Sequence, residues 1–254
     1  MEGMGRGKRN ADRLMSHKII VFSHNRPLYL RQTIESLIYS LKGDKSNIVL
    51  VIQDPDPDTL AYAGKSGLEV LETKDNCIFA GMTIAIRWFN PTTVSIVQDD
   101  QIFPPMTRVR YPNWPYMFEG MLDRCDVVLF NMSLINLPCE PCFPIHQATR
   151  VDDKFEYFDN PATEPPVYLF QPCTMTTAFW NQCYDPGCKC AVDSTILTNA
   201  KRLIRTKLEV LHIGWNRDMN GYNTQKEWAQ GFQLPFEKTT VTNWKTGEVR
   251  EIVL

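Results

Sequence analysis

The chain has 254 residues, 43% of them hydrophobic and 22% charged, a composition that excludes a disordered tail, a collagen-like fibre and a coiled coil. At roughly 150 residues per domain, one large domain or two small ones fit this length. The 27 basic and 29 acidic residues leave a net charge of −2, which argues against a broad nucleic-acid surface, because a wide grip on polyphosphate needs a basic excess.

The first seventeen residues carry Arg6, Lys8, Arg9 and Arg13 with no apolar stretch behind them, so residues 1–17 are expected to form a basic disordered arm and not a secretory signal. The longest unbroken apolar run, Ile48 to Ile52, has five residues, far short of the roughly 20 that a transmembrane helix needs. A cytoplasmic or otherwise soluble chain is expected.

Lys18 to Ser23 reads as a buried strand. Pro27 suits the first turn of a helix; Leu30, Ile34, Leu37, Ile38 and Leu41 then recur at helical spacing, and Gly43 ends the pattern. Asn47 to Ile52 is a second buried strand, closed by Asp54-Pro55-Asp56-Pro57 as a turn. Thr59 to Ala63 predicts a short helix, Leu68 to Leu71 a third strand, Gly81 to Phe89 an amphipathic helix, and Thr93 to Val97 a fourth strand that breaks at Gln98-Asp99-Asp100. This alternation predicts a mostly parallel α/β sheet flanked by helices. In the second half, Asp126 to Met132 and Val167 to Gln171 read as strands, with proline-rich connections between and before them: Phe103-Pro104-Pro105, Pro112 to Pro115 and Pro138 to Pro144. Ala191 to Leu203 reads as a helix, Leu208 to Ile213 as a strand, and Thr239 to Val253 as a hairpin turning at Thr246-Gly247.

In an open parallel sheet, ligands bind beyond the carboxyl ends of the strands. Three such ends here are polar: Ser23-His24-Asn25-Arg26, Gln53-Asp54 and Gln98-Asp99-Asp100. They are expected to converge on one crevice. Adjacent carboxylates at the end of a buried strand repel each other unless a cation compensates, and hard Mg²⁺ or Mn²⁺ takes oxygen ligands shared with substrate phosphates. The alternative for Asp99 or Asp100 is a helix cap.

On these motifs the chain resembles the GT-A nucleotide-sugar glycosyltransferases, in particular the N-acetylglucosaminyltransferase I branch. Ile20-Val-Phe-Ser-His-Asn-Arg-Pro27 is similar to that branch's first strand and phosphate-facing turn. Val51-Ile-Gln-Asp54 is similar to its second strand, and Ile96-Val-Gln-Asp-Asp100 to its acidic metal motif, where the family has Glu-Asp-Asp. The likeness covers roughly residues 18–105 as the nucleotide-sugar half. Residues 106–254 follow only in order of elements, as the acceptor half of one GT-A (Rossmann-like) domain spanning 18–254.

The resemblance implies a UDP-sugar donor, one Mn²⁺ or Mg²⁺ ion, and a hydroxyl acceptor on a glycan, glycoprotein or modified base. It places Arg26 at the diphosphate, Ser23 among the residues that bind the nucleotide sugar, Asp54 at the base, Gly81 where backbone approaches the nucleotide, and Asp99 at the ribose or sugar. It places Asp100 on the metal, with His212 as a second metal ligand or phosphate contact. Asp193 is the positional match for the general base of an inverting transfer, its alternative role being an N-cap. Gln98 and Gln101 depart from the family pattern.

Eight cysteines without a visible export signal read mostly as reduced thiols. Cys139-x-x-Cys142 together with Cys183, Cys188 and Cys190 leaves a structural Zn²⁺ as the rival expectation, and with it a non-catalytic, zinc-stabilised binding module. A nucleotidyltransferase of similar sheet topology is the enzymatic alternative, disfavoured because Ser23-His24-Asn25 contains no glycine.

Overall fold

The computed structural model describes residues 17–75, 78–134, 148–160, 172–184, 199–213 and 238–254. The first half alternates as its apolar runs predict: β1 (His17–Ser23), α1 (Pro27–Ser40), β2 (Ile48–Gln53), α2 (Pro57–Ser66), β3 (Glu69–Thr73), α3 (Ile78–Phe89) and β4 (Thr93–Gln98). Side chains alternate across a strand, so Ile19 and Val21 pack with Leu30, Ile34 and Leu37 of α1 on one face. Ile20 and Phe22 pack with Met82, Ala85 and Trp88 of α3 on the other. Both faces are covered, which is why these strands read as continuous apolar runs.

The Asp54-Pro55-Asp56-Pro57 turn holds a helix start that the sequence reading placed two residues later. Asp56 is the N-cap of α2, accepting a 2.6 Å hydrogen bond from the Thr59 amide, and Pro57 occupies the first turn, where a missing N–H costs nothing. Gly67, at φ +72°, closes the helix in a left-handed conformation that a side chain disfavours.

The second half contributes β5 (Gln101–Ile102), α4 (Pro105–Arg110), α5 (Trp114–Glu119), β6 (Val127–Leu134), β7 (Arg150–Val151), β8 (Phe155–Asp159), β9 (Cys173–Thr176), α6 (Thr177–Cys183), β10 (Arg202–His212), β11 (Lys238–Asn243) and β12 (Val249–Val253). One sheet runs through both halves in the order β12-β11-β3-β2-β1-β4-β9-β6-β10-β8-β7, with β5 paired to β10. The core strands β3-β2-β1-β4 are parallel, as are β6 and β10. β9 bridges the two parallel groups by pairing antiparallel with β4 and β6, and the expected hairpin is β11–β12.

Two expectations change. Arg202 and Leu203, read as the end of a helix, begin β10, where Leu203 pairs with Val127 on one side and Phe158 on the other. Pairing on both sides overrides local helical spacing. Residues 191–198 of that helix, and the Val167 to Gln171 strand, lie outside the described residues. The prolines at 105 and 115, read as parts of connections, sit in the first turns of α4 and α5. Among the described residues no helix is long and apolar enough to cross a membrane.

His17 opens β1 at the end of the sheet opposite the strand tips that carry the carboxylates. It is fully buried, with its ring nitrogens 2.8 Å from Thr93 Oγ1 and 3.1 Å from Ser95 Oγ. Burial pushes its imidazole from about 6.5 down to about 4. Its folded-state pKa is therefore depressed, so its contribution to stability is complete above pH 6.5 and is lost as pH falls toward 4. Between pH 7 and pH 5 this group alone should lower unfolding stability by about 2 kcal/mol. Urea unfolding of the wild type and of His17→Asn at both pH values should show that extra loss in the wild type only. Equal losses would contradict the assignment.

Candidate active site

The chain runs from β1 through β2 to β3 on one side of β1, then returns to place β4 on its other side. The crevice beyond the carboxyl ends of β1 and β4 is therefore the topological switch point, where open α/β sheets bind ligands. Phe22 and Gln98 are register partners, which puts Ser23 beside the turn at Asp99 and Asp100.

Both carboxylates are buried. Ser23 Oγ donates to Asp99 Oδ2 at 2.7 Å. Arg26 Nη1 donates to Asp100 Oδ2 at 2.9 Å and lies 3.8 Å from Asp99 Oδ1. Burial pushes the Asp99 carboxyl well above the usual carboxylate range, Arg26 pulls it back, and the adjacent Asp100 charge adds to the rise.

Arg26 is the N-cap residue of α1, yet its side chain makes no capping hydrogen bond and reaches the acidic pair instead. A cation at a helix N-terminus opposes the helix dipole; the two carboxylates are what hold it there.

His212 comes from the far end of β10. Its placement on the acidic turn follows from backbone pairing: His212 is register partner to Gln101 across β10 and β5, and the Ile213 amide donates to the Asp100 carbonyl at 2.8 Å. His212 Nε2 then lies 3.4 Å from Asp100 Oδ1. Among the described residues, Asp100 Oδ1 and His212 Nδ1 are buried side-chain atoms without a hydrogen-bond partner. An orphaned carboxylate oxygen facing an imidazole nitrogen at this spacing suits two neighbouring ligands of one divalent ion, since ligands about 2.1 Å from an ion and at right angles lie about 3 Å apart. No group of three or more His, Cys, Asp or Glu side chains among the described residues could hold a metal by itself. Mg²⁺ and Mn²⁺ sites commonly complete their shells with substrate phosphates and water, so the residues present fit such an ion.

Other expected residues fall around this centre. Asp54 follows β2, is largely exposed, and lies 3.7 Å from His24 Nε2. Its backbone has φ +39° and Asn25 has φ +52°, both left-handed. Asn25 Oδ1 accepts from the Asp56 amide at 2.6 Å, tying the turn after β1 to the turn after β2. Gly81 packs under Gln53: a Cβ there would meet Gln53 Oε1 at 2.9 Å, so the side chain seen against the glycine is Gln53. Asp193 lies outside the described residues, as do Cys139, Cys142, Cys188 and Cys190. Cys125, Cys173 and Cys183 are free and buried, and burial pushes each thiol up to about 12, which makes them poor nucleophiles.

The sequence reading missed Gln101 as an anchor. It treated this residue only as a departure from a motif. Gln101 Oε1 accepts from the Gln98 amide at 2.9 Å, and the Gln101 amide donates to Thr33 Oγ1 of α1 at 3.0 Å. The turn that presents both carboxylates is thus fixed to its own strand and to α1. Tyr29, buried one turn into α1, was also missed; Arg26, Asp100 and Asp99 all act electrostatically on its hydroxyl.

Removing the hydroxyl in Ser23→Ala leaves a buried Asp99 oxygen one donor short, which should cost about 1–3 kcal/mol. Chemical unfolding checks this, and a loss below about 0.5 kcal/mol would show that Asp99 does not depend on Ser23.

No family model matches the sequence, and no curated protein matches it. Solved structures do match. Residues 1–349 of Staphylococcus aureus TarS superpose with a TM-score of 0.58 at 19% identity, over 78% of this chain and 60% of that one. The same protein in complex with UDP-GlcNAc gives 0.57 at 19% identity, over 77% and 58%. The mannosyltransferase PcManGT from Pyrobaculum calidifontis, in complex with GDP-Man and Mn²⁺, gives 0.56 at 14% identity, over 85% and 61%. The chain spans about three fifths of the length of TarS residues 1–349 and of PcManGT. These neighbours are GT-A nucleotide-sugar glycosyltransferases, and at this level of identity the likeness is one of fold. The chain has the mixed α/β GT-A fold, with a central, mostly parallel sheet flanked by helices.

Proposed function

We propose that this protein is a metal-dependent glycosyltransferase that moves a hexosyl or N-acetylhexosaminyl group from a UDP-sugar to a hydroxyl acceptor, with inversion. The observation that carries the reading is the convergence of Ser23, Arg26, Asp99, Asp100 and His212 on the crevice between β1 and β4. The fold of the neighbours crystallised with UDP-GlcNAc and with GDP-Man and Mn²⁺ supports the same class of donor. The narrower likeness to the N-acetylglucosaminyltransferase I branch rests on the three motifs.

Asp100 and His212 would hold a divalent ion, Mn²⁺ or Mg²⁺. When bound, that ion supplies positive charge against a departing diphosphate. Arg26 and the N-terminal amides of α1 supply more of the same: guanidinium pairs with phosphate oxygens, and a helix N-terminus favours anions. Ser23 holds Asp99 through one oxygen, and Asp99 is the residue this reading assigns to the ribose or sugar. Asp54, exposed at the rim, has an acceptor oxygen available for a base N–H. In the transfer, the acceptor oxygen forms a bond to the anomeric carbon while the carbon–oxygen bond to UDP breaks. The hydroxyl proton passes to a base, the role assigned to Asp193, and UDP leaves as the anion. Localisation as a soluble protein belongs to the same reading, as does an acceptor carried on a glycan, glycoprotein or modified base.

Calorimetry of UDP binding with Mn²⁺, with Mg²⁺ and with chelator tests the donor site. Affinity should be at least about tenfold higher with metal, and Asp100→Ala should abolish the difference. Equal affinity with chelator would overturn the metal role. Asp54→Ala should weaken UDP about ten- to a hundredfold by removing one charge-assisted hydrogen bond. For the base, Asp193→Asn keeps capping ability and should reduce turnover by about 10² to 10⁴ with UDP affinity unchanged. Normal transfer by that variant would remove Asp193 from the chemistry.

A further inference from the structure

Asp100 divides its two oxygens between different partners. Oδ2 is taken by Arg26 at 2.9 Å, while Oδ1 is buried, without a hydrogen-bond partner, and 3.4 Å from His212 Nε2. One oxygen of Asp100 thus faces His212, with which it would hold an ion, and the other faces a guanidinium. A free divalent cation entering here meets a fixed positive charge on the far side of the same carboxylate, with Arg26 also 3.8 Å from Asp99. In this partly dry setting, where the Arg26 side chain is only 17% exposed, that repulsion is weakly screened.

The backbone of Arg26 cannot retreat. Pro27 fixes the first turn of α1, and the Arg26 carbonyl accepts from the Leu30 amide at 2.9 Å. Only the side chain can move, and near the start of α1 the one partner that suits it better than a carboxylate shared with a metal is an anion placed at the helix N-terminus.

Resting on the donor-site reading above, we infer that Arg26 is the resident counter-ion of the acidic pair and a specificity-determining residue for the metal–diphosphate complex. It holds Asp100 until metal and diphosphate arrive together, then exchanges Asp100 for a phosphate oxygen. Metal alone competes with the guanidinium for Asp100 and sets a second positive charge beside it, so free metal binds weakly. Diphosphate alone leaves the acidic pair facing added negative charge, so it binds weakly as well. The two together relieve both conflicts, and metal and nucleotide binding are coupled through one side chain. A nucleoside monophosphate, with one phosphate to share between the ion and Arg26, gains less from the metal than a diphosphate does.

The test measures Mn²⁺ binding without nucleotide, by the loss of the free-ion paramagnetic resonance signal, alongside calorimetry of UDP and UMP with and without Mn²⁺. The proteins are the wild type, Arg26→Gln, Arg26→Lys and Asp100→Asn, with melting temperature recorded for each. Arg26→Gln should bind Mn²⁺ alone about tenfold more tightly than the wild type, the size of one lost charge-assisted contact. It should also lose most of the Mn²⁺ enhancement of UDP affinity, which in the wild type should exceed the enhancement for UMP. Arg26→Lys should fall between, because an ammonium keeps the charge but not the fork, and Asp100→Asn should lose the Mn²⁺ site. Unchanged or weaker Mn²⁺ binding by folded Arg26→Gln and Arg26→Lys, with metal-dependent UDP binding intact in the wild type, would overturn the inference and leave the donor-site reading standing. Absence of metal-dependent binding of UDP in the wild type would overturn that reading, and the coupling with it.

Discussion

Two adjacent carboxylates buried at the end of β4 are the constraint around which the site is organised. Burying one charge is unfavourable, and burying two side by side is worse. The surrounding structure answers with a hydroxyl from β1, a guanidinium from the start of α1 and an imidazole from the end of β10. Each answer comes from a different element. The acidic turn therefore requires β1, β4 and β10 in their observed order, and α1 beginning where Pro27 starts it.

The same constraint explains why the fold spends polar contacts inside. Gln101 and Thr33 hold the turn to α1, while β5, only two residues long, clamps His212 to it. At the opposite end of the sheet, buried polar groups pair with one another, as in the chain from His17 through Ser95 to Thr174. The tip carrying Asp99 and Asp100 instead sets one guanidinium against two carboxylates and leaves Asp100 Oδ1 and His212 Nδ1 without a hydrogen-bond partner. Perturbed charge concentrated in a crevice at a switch point is the physical mark of a ligand site.

The first half was legible because its code is local. Short apolar runs between proline and glycine signals make buried parallel strands, and polar residues directly after those strands mark the crevice; Ser23, Arg26, Asp99 and Asp100 follow from that logic. His212 was legible by resemblance, but its contact with Asp100 depends on the β5–β10 pairing, which links residues more than a hundred positions apart. The second half was less legible for the same reason. Leu203 looks helical by spacing, yet it is a strand residue because β6 and β8 lie on either side. β9 is a four-residue strand with a fully buried threonine, a pattern no hydrophobic periodicity would reveal. Gln101 looks like a lost motif residue, and only its hydrogen bonds show it to be an anchor.

The central claim is that the β1–β4 crevice binds a divalent ion and a nucleoside diphosphate together through the acidic turn. Anomalous scattering from a crystal grown with Mn²⁺ and UDP tests it directly. The account predicts one strong peak within coordination distance of Asp100, next to His212, with the diphosphate density between that peak and Arg26. A peak elsewhere, or UDP bound with no peak beside Asp100, would contradict it.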